Sequence, residues 1–111
     1  MPRQHNALQL VLTTLEKKQD AQRIAKTLVQ ERLAACVSLL APVQSYYRWE
    51  GKLQKSQEWM LLIKTDSRSF NKLKQRIEAI HPYKCPEIIA MAANQVNALY
   101  YKWLLQQVKP G

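Results

Sequence analysis

The stretch VQSYYRWEGKLQKSQEWMLLIKT, residues 43–65, decides the fold. Its first part is rich in aromatic residues that favour β-structure, and its last part, EWMLLIKT, is apolar. Glu50-Gly51-Lys52 separates the two parts and has the composition of a hairpin tip. The sequence therefore predicts two antiparallel strands here. The first strand extends back through residues 35–42 as one long strand that bends at Pro42.

The segments on either side of this hairpin complete the order β-α-β-β-α-β-α. They are a strand at 7–14 that alternates in polarity, a helix capped by Asp20, a helix with apolar residues at 70, 73, 77 and 80 capped by Asp66 or Ser67, a strand at 87–93, and a last helix with Leu99, Trp103 and Leu104 inward. This order is the split βαβ, or ferredoxin-like, arrangement with an added C-terminal helix. The predicted class is α+β, with one domain over residues 1–111.

The third strand predicts self-association. Its residues Trp59, Leu61 and Ile63 alternate with Met60 and Leu62, so both of its faces are apolar. The two main helices of a ferredoxin-like fold cover only one face of the sheet, and a single chain of this length has no material for the other. We therefore predict that further copies of the same chain cover the other face of the sheet.

Composition and charge narrow the function classes. Seventeen Lys and Arg against eight Asp and Glu give a net charge of +9. The basic residues are spread over helix faces, which favours a solvated surface over a nucleic-acid site. The third strand also lacks the basic-Gly-aromatic run of an RNA-recognition domain. Nucleic acid is therefore disfavoured as a partner.

The cellular compartment and the absence of enzymatic activity are predicted from motifs that the sequence lacks. It has neither an export signal nor a run long enough to cross a membrane, and Cys36 and Cys85 do not form a disulfide framework. These features predict a cytoplasmic protein with reduced thiols and no membrane contact. Because no phosphate loop, nucleophile elbow or metalloprotease motif occurs, we predict a protein without catalytic residues that is not an enzyme.

Four blocks resemble one family along nearly the whole chain. They are ERLAACVSLL (31–40), YYRWEGKLQ (46–54), EWMLLIKT (58–65) and HPYKCPEII (81–89), followed by Tyr100 and Trp103. In this succession they closely resemble the CutA family. The resemblance implies a PII-like homotrimer assembled through the sheets, and a role in divalent-cation tolerance with Cu²⁺ or another divalent cation as ligand. Two departures weaken the copper expectation and leave a loop shape open: Thr13 stands where some bacterial members carry cysteine, and residues 94–97 lack a glycine.

A candidate binding cleft lies between the second helix and the fourth strand, where Pro82 and Pro86 stiffen the chain. The predicted ligand-binding residues are Lys64, His81, Tyr83 and Glu87. If the ligand is a divalent metal, neutral His81 and ionised Glu87 are the predicted metal ligands. If it is a small anion bound in an inter-subunit cleft, Lys64 supplies the attraction.

Two structural interpretations compete with ligand binding at the marked residues. His81 can simply end a helix before proline, and the acids Glu50, Glu58 and Glu87 can form ion pairs with Lys64 or Arg48. The aromatic residues Tyr47, Trp49 and Trp59 are predicted to pack in the trimer interface rather than to stack on a ligand.

Overall fold

The computed structural model describes residues 7–109. In chain order the elements are β1 (Leu8–Leu15), α1 (Lys18–Gln30), β2 (Cys36–Trp49), β3 (Lys52–Asp66), a short 3-10 helix (Ser67–Ser69), α2 (Phe70–Ile80), β4 (Ile89–Ala92) and α3 (Ala98–Gln107). The four strands form one antiparallel sheet in the order β2-β3-β1-β4. The predicted ferredoxin-like α+β order with an added C-terminal helix is confirmed. None of the helices within residues 7–109 is long and apolar enough to span a membrane.

The main core lies between α1, α2 and one face of the sheet. Alternate residues of β1 and β3 and the apolar stripes of the two helices meet there, and all are buried: Val11, Leu15, Ile24, Leu28, Leu61, Ile63, Leu73 and Ile77. Burying one such side chain contributes about 1.5–3 kcal/mol. This packing fixes the end of β1 and the middle of β3, next to which the candidate site lies.

The long hairpin of β2 and β3 reaches beyond the rest of the sheet. The predicted bend in β2 is a shift in pairing register between Leu40 and Val43. At the tip, Glu50 and Gly51 have φ angles of 51° and 79°, the left-handed pair that matches strand twist in a two-residue hairpin turn. Because β1 pairs with β3 only from Trp59 onward, residues 43–58 project as a two-stranded ribbon. A two-stranded ribbon is marginal in water without further support.

The sheet face opposite α1 and α2, here called the open face, is largely apolar. The C-terminal helix α3 covers one end of it, where Leu104 and Val108 pack with Leu8. Beyond α3, Leu40, Ile89 and Met91 are 39%, 50% and 44% exposed. The structure therefore leaves an apolar surface on the face that the sequence predicted to need a cover.

Two predicted helix caps are wrong. Lys17 is the N-cap of α1, and Asp20 instead lies in the first turn, where it accepts a hydrogen bond from Arg23 at 3.2 Å. Helix α2 begins after the 3-10 turn with Ser69 as N-cap, so neither Asp66 nor Ser67 caps it. Its end at Ile80, with His81 in an extended conformation before Pro82, is as predicted.

The inward face of α3 was predicted only in part. Leu104 is buried as expected, but Leu99 is 82% exposed and Trp103 is 41% exposed. Asn97 caps this helix by accepting a hydrogen bond from the Tyr100 amide at 2.7 Å. Apolar side chains occur around much of α3, so their spacing does not select one buried face.

Candidate functional site

A cleft of about 520 Å³ lies where the end of β1, the ribbon and the loop between α2 and β4 meet. It is lined by Thr14, Glu16, Tyr47, Trp49, Gln54, Ser56, Glu58, Tyr83, Lys84, Cys85 and Glu87. Its volume lies within the range of small-molecule sites. Of the four predicted ligand-binding residues, Tyr83 and Glu87 line this cleft.

His81 holds the loop that enters the cleft. Its side chain is buried, with Nε2 2.9 Å from the carbonyl oxygen of Thr14 and Nδ1 3.1 Å from the amide nitrogen of Tyr83. The Tyr83 amide can only donate, so Nδ1 accepts and the ring is the neutral Nε2–H tautomer. Burial lowers the pKa of His81, opposed by the Thr14 bond and nearby Asp20 and assisted by Arg23. Both ring nitrogens are thus engaged within the chain.

This arrangement bears directly on the predicted role of His81 as a metal ligand. Coordination needs a free nitrogen lone pair, and the only lone pair of this tautomer accepts the Tyr83 amide. A metal at His81 would have to break that bond. Within residues 7–109 no group of three or more His, Cys, Asp or Glu side chains is placed to hold a metal ion.

Tyr83, which is partly buried, and Glu58, which is buried, form the floor of the cleft. The Tyr83 hydroxyl donates a 2.8 Å hydrogen bond to Oε2 of Glu58, and the Tyr83 ring lies edge-on to His81 at 4.7 Å. Glu58 is only 8% exposed. Burial, then the hydrogen bond to Glu58 and its charge, raise the pKa of Tyr83 well above its ordinary value of 10. The hydroxyl therefore stays protonated and keeps donating to the carboxylate.

Glu58 has no ion-pair partner among the residues that the structure describes. The predicted pairing with Lys64 or Arg48 does not occur: Arg48 donates to the carbonyl oxygen of Gly51 at 3.3 Å, and Lys64 contacts Ser38. A buried carboxylate without a cation is costly, and one hydroxyl donor compensates it only partly.

Lys64 lies apart from the other predicted site residues. It pairs with Leu10 and Cys36 in the sheet, and its Nζ bonds Ser38 Oγ and lies 3.8 Å from Cys36 Sγ. Glu58 stands six residues earlier on the same strand. The predicted grouping of Lys64 with Tyr83 and Glu87 is therefore not seen in one chain.

The charge of the cleft differs in sign from the charge of the protein. Three carboxylates, Glu16, Glu58 and Glu87, line it together with one lysine, Lys84. These are three of only eight acidic residues in a chain with a net charge of +9. The local charge favours a cation inside the cleft.

One wall of the cleft is aromatic and comes from the ribbon. Tyr47 and Trp49 share one face of β2 and are 43% and 47% exposed. On β3, Ser56, which pairs with Ser45 in the ribbon, has a buried hydroxyl oxygen without a hydrogen-bond partner among the described residues. Trp59, predicted to join the other two aromatic residues at an interface, instead packs against the core and lies beneath Lys18, with Nζ 5.3 Å from the ring centroid.

Sequence reasoning missed Glu16, Gln54 and Ser56 as cleft residues. Gln54 and Ser56 precede Glu58 at two-residue spacing, so strand alternation places all three on one face of β3. That signal was present in the sequence. Glu16 follows the end of β1, and only the folded sheet brings it to the ribbon.

Comparisons with known proteins agree on one family. The family model described as CutA1 divalent ion tolerance protein matches residues 9–107. The divalent-cation tolerance protein CutA of Thermus thermophilus is 46% identical over 96 residues, covering 86% of this chain and 93% of that protein. The Pyrococcus horikoshii protein of the same name is 38% identical over 100 residues, covering 90% and 97%.

Solved structures show the same relationship in three dimensions. The Thermus thermophilus Cut A1 structure superposes with a TM-score of 0.89 at 43% identity and covers 92% of this chain and 99% of that one. CutA from Xylella fastidiosa gives a TM-score of 0.90 at 39% identity, with coverage of 93% and 99%. On these matches of sequence and structure, the chain belongs to the CutA1 divalent ion tolerance protein family.

Proposed function

We propose that this protein acts in divalent-cation tolerance as a cytoplasmic, non-enzymatic homotrimer of PII-like architecture that binds a divalent cation, with copper as the first candidate, in the cleft beside Glu58. The observation that carries the proposal is the buried carboxylate of Glu58, which has no cation partner within residues 7–109. It lies in a cleft with three carboxylates and one lysine. Family membership supports the general role in divalent-ion tolerance.

The same observations weigh against an anionic ligand in this cleft. An anion would need a cationic wall, and Lys84 is the only Lys or Arg among the lining residues. Lys64, which was expected to supply the attraction, bonds Ser38 elsewhere on the sheet. The charge arrangement supports a cation, and the small-anion alternative has no contact in the described structure that favours it.

Trimer formation would account for two features of the single chain, its exposed apolar sheet face and its incomplete set of metal ligands. The open face exposes Leu40, Ile89 and Met91, and apolar strand faces of this kind are normally covered. One chain also lacks a group of three metal ligands within residues 7–109. A second copy beside the cleft could complete a donor set that includes Glu87 and the exposed thiol of Cys85.

Metal binding is tested by calorimetric titration of the intact oligomer with Cu²⁺. We expect Glu87→Gln to weaken binding, while Glu78→Gln, on the exposed side of α2 where Glu78 pairs with Lys74, leaves it unchanged. His81→Gln tests the predicted histidine ligation, which predicts that binding fades below about pH 6. Copper binding that is equal in all four proteins would refute the cleft as the metal site.

Trimer formation is tested by light scattering at micromolar concentration. Met91→Lys places a charge on the open face and should dissociate the trimer, whereas Val29→Lys, on the exposed side of α1, should not. Tyr47 and Trp49 remain predicted interface residues, because they are exposed on a ribbon that needs support. A monomeric wild-type protein would refute the assembly.

A further inference from the structure

In the described part of the chain the carboxylate of Glu58 lacks a cationic partner, and its surroundings define what kind of group could pair with it. Its Oε2 accepts from the Tyr83 hydroxyl, and no lysine, arginine or histidine within residues 7–109 pairs with the carboxylate. Its residue exposure of 8% excludes most solvent. A carboxylate in this position is stabilised most by a group that is both positively charged and a hydrogen-bond donor.

A second polar group beside Glu58 also lacks a partner among the described residues. The Ser56 hydroxyl oxygen is buried and has no hydrogen-bond partner in the part of the chain that the structure describes. Ser56 is two residues before Glu58 on β3, so both side chains lie on the cleft face of the strand. A hydroxyl oxygen can accept from an ammonium group that also bonds the carboxylate.

The walls of the cleft offer contacts to an organic cation that a bare ion cannot make. Tyr47 and Trp49 present aromatic surface along the ribbon, and such surface attracts an ammonium group and packs against an alkyl chain. Glu16 and Glu87 add two further carboxylates to the lining. A volume of about 520 Å³ accommodates a molecule several carbon atoms long.

We infer that the cleft binds a small alkyl diamine, with one ammonium group between Glu58 and Ser56, the alkyl chain along Tyr47 and Trp49, and the second ammonium group near Glu16 and Glu87. The diamine would compete with the divalent cation of the proposed function for Glu58, but its own contacts need no metal, because they are hydrogen bonds, ion pairs and aromatic packing. It gives Tyr47 and Trp49 a ligand contact in addition to the subunit contact proposed above.

The test is calorimetry with three probes of similar length that differ in charge, carried out on the full-length protein in the presence of a metal chelator. We expect diaminopentane to bind more tightly than aminopentane, and pentanediol to bind most weakly, because each ammonium group meets a carboxylate. Added salt should weaken diaminopentane binding. Diaminopentane that binds no better than pentanediol would overturn the inference, and this comparison needs no variant.

Variants then locate the site. Glu58→Gln keeps the size of the side chain, removes its charge and should weaken diaminopentane binding about tenfold or more. Trp49→Leu should weaken it about two- to fivefold. Glu78→Gln is the matched control, removes an exposed carboxylate on α2 and should change nothing. Equal affinity in Glu58→Gln and wild type would overturn the assignment.

The same ammonium chemistry could come from a lysine of a second copy of this chain. Light scattering of Glu58→Gln separates the two sources. If a second copy supplies the cation, Glu58→Gln dissociates the oligomer and the wild type shows no diamine binding, which overturns the inference. If a free amine is the ligand, Glu58→Gln keeps the wild-type oligomeric state and loses only the diamine.

Discussion

Replacing Tyr83 with Phe removes one atom from the floor of the cleft. The lost hydroxyl donates at 2.8 Å to Glu58, whose carboxylate has no other hydrogen-bond or ion-pair partner among the described residues. The phenyl ring can keep the edge-on contact with His81. A hydrogen bond to a charged group contributes about 1.5–3 kcal/mol. We therefore expect Tyr83→Phe to lower the free energy of unfolding by about 2 kcal/mol at neutral pH.

A double-mutant cycle shows whether the charge of Glu58 is the cause. In a Glu58→Gln background the Tyr83 hydroxyl meets a neutral amide, so Tyr83→Phe should cost only about 1 kcal/mol or less. Urea unfolding, followed by tryptophan fluorescence, measures both values at one protomer concentration because oligomer stability depends on concentration. Tyr46→Phe is the matched control: its hydroxyl bonds an exposed Gln44, and its loss should cost less than about 0.5 kcal/mol.

A cost for Tyr83→Phe that is the same in both backgrounds would refute this reasoning. It would mean that the hydroxyl acts through packing or solvation and not through the carboxylate charge. A cost no larger than that of Tyr46→Phe would refute it as well, because the Glu58 carboxylate would then be satisfied without Tyr83.

Three further outcomes follow from single residues. The pKa of His81 is lowered below 6.5 in the folded protein, so the folded state resists protonation of this ring. The contribution of neutral His81 to the free energy of unfolding is complete above about pH 6.5 and is lost as the pH falls through the lowered pKa. Urea midpoints measured between pH 8 and pH 5 should therefore fall more in wild type than in His81→Gln, and parallel curves would contradict this. Leu61→Ala in the core should lower the free energy of unfolding by about 2–5 kcal/mol, whereas Leu53→Ala, at a side chain 72% exposed, should change it little. Gly51→Ala should lower it by about 1 kcal/mol in the same assay because φ is 79° there, and a stabilised variant would contradict the turn geometry.

The strands and the hairpin could be predicted because their signals are local. Two-residue alternation, the Gly51 turn and the proline after His81 each act within a few residues of chain. The N-caps were less predictable, since Asp20 meets the side chain of Arg23 instead of a backbone amide. Leu99 was misplaced because α3 carries apolar residues around much of its circumference.

The cleft could be predicted only at one edge. The stiff loop from His81 to Glu87 is visible in the sequence, and Tyr83 and Glu87 do line the cleft. The partner of Tyr83 is 25 residues away, and only the position of β3 in the sheet brings Glu58 to it. Lys64 was predicted as the fourth member because it lies at the end of the third strand, but it stands six residues beyond Glu58, the residue of β3 that does line the cleft.

The net positive charge of the protein and the negative charge of the cleft lining have opposite effects on a cationic ligand. A chain of +9 repels cations at a distance, although salt screens this repulsion beyond about 8 Å at physiological ionic strength. Long-range attraction therefore cannot be the source of the proposed cation binding. The favourable free energy must arise at contact, where Glu58 is shielded from water and each interaction is stronger than at the surface.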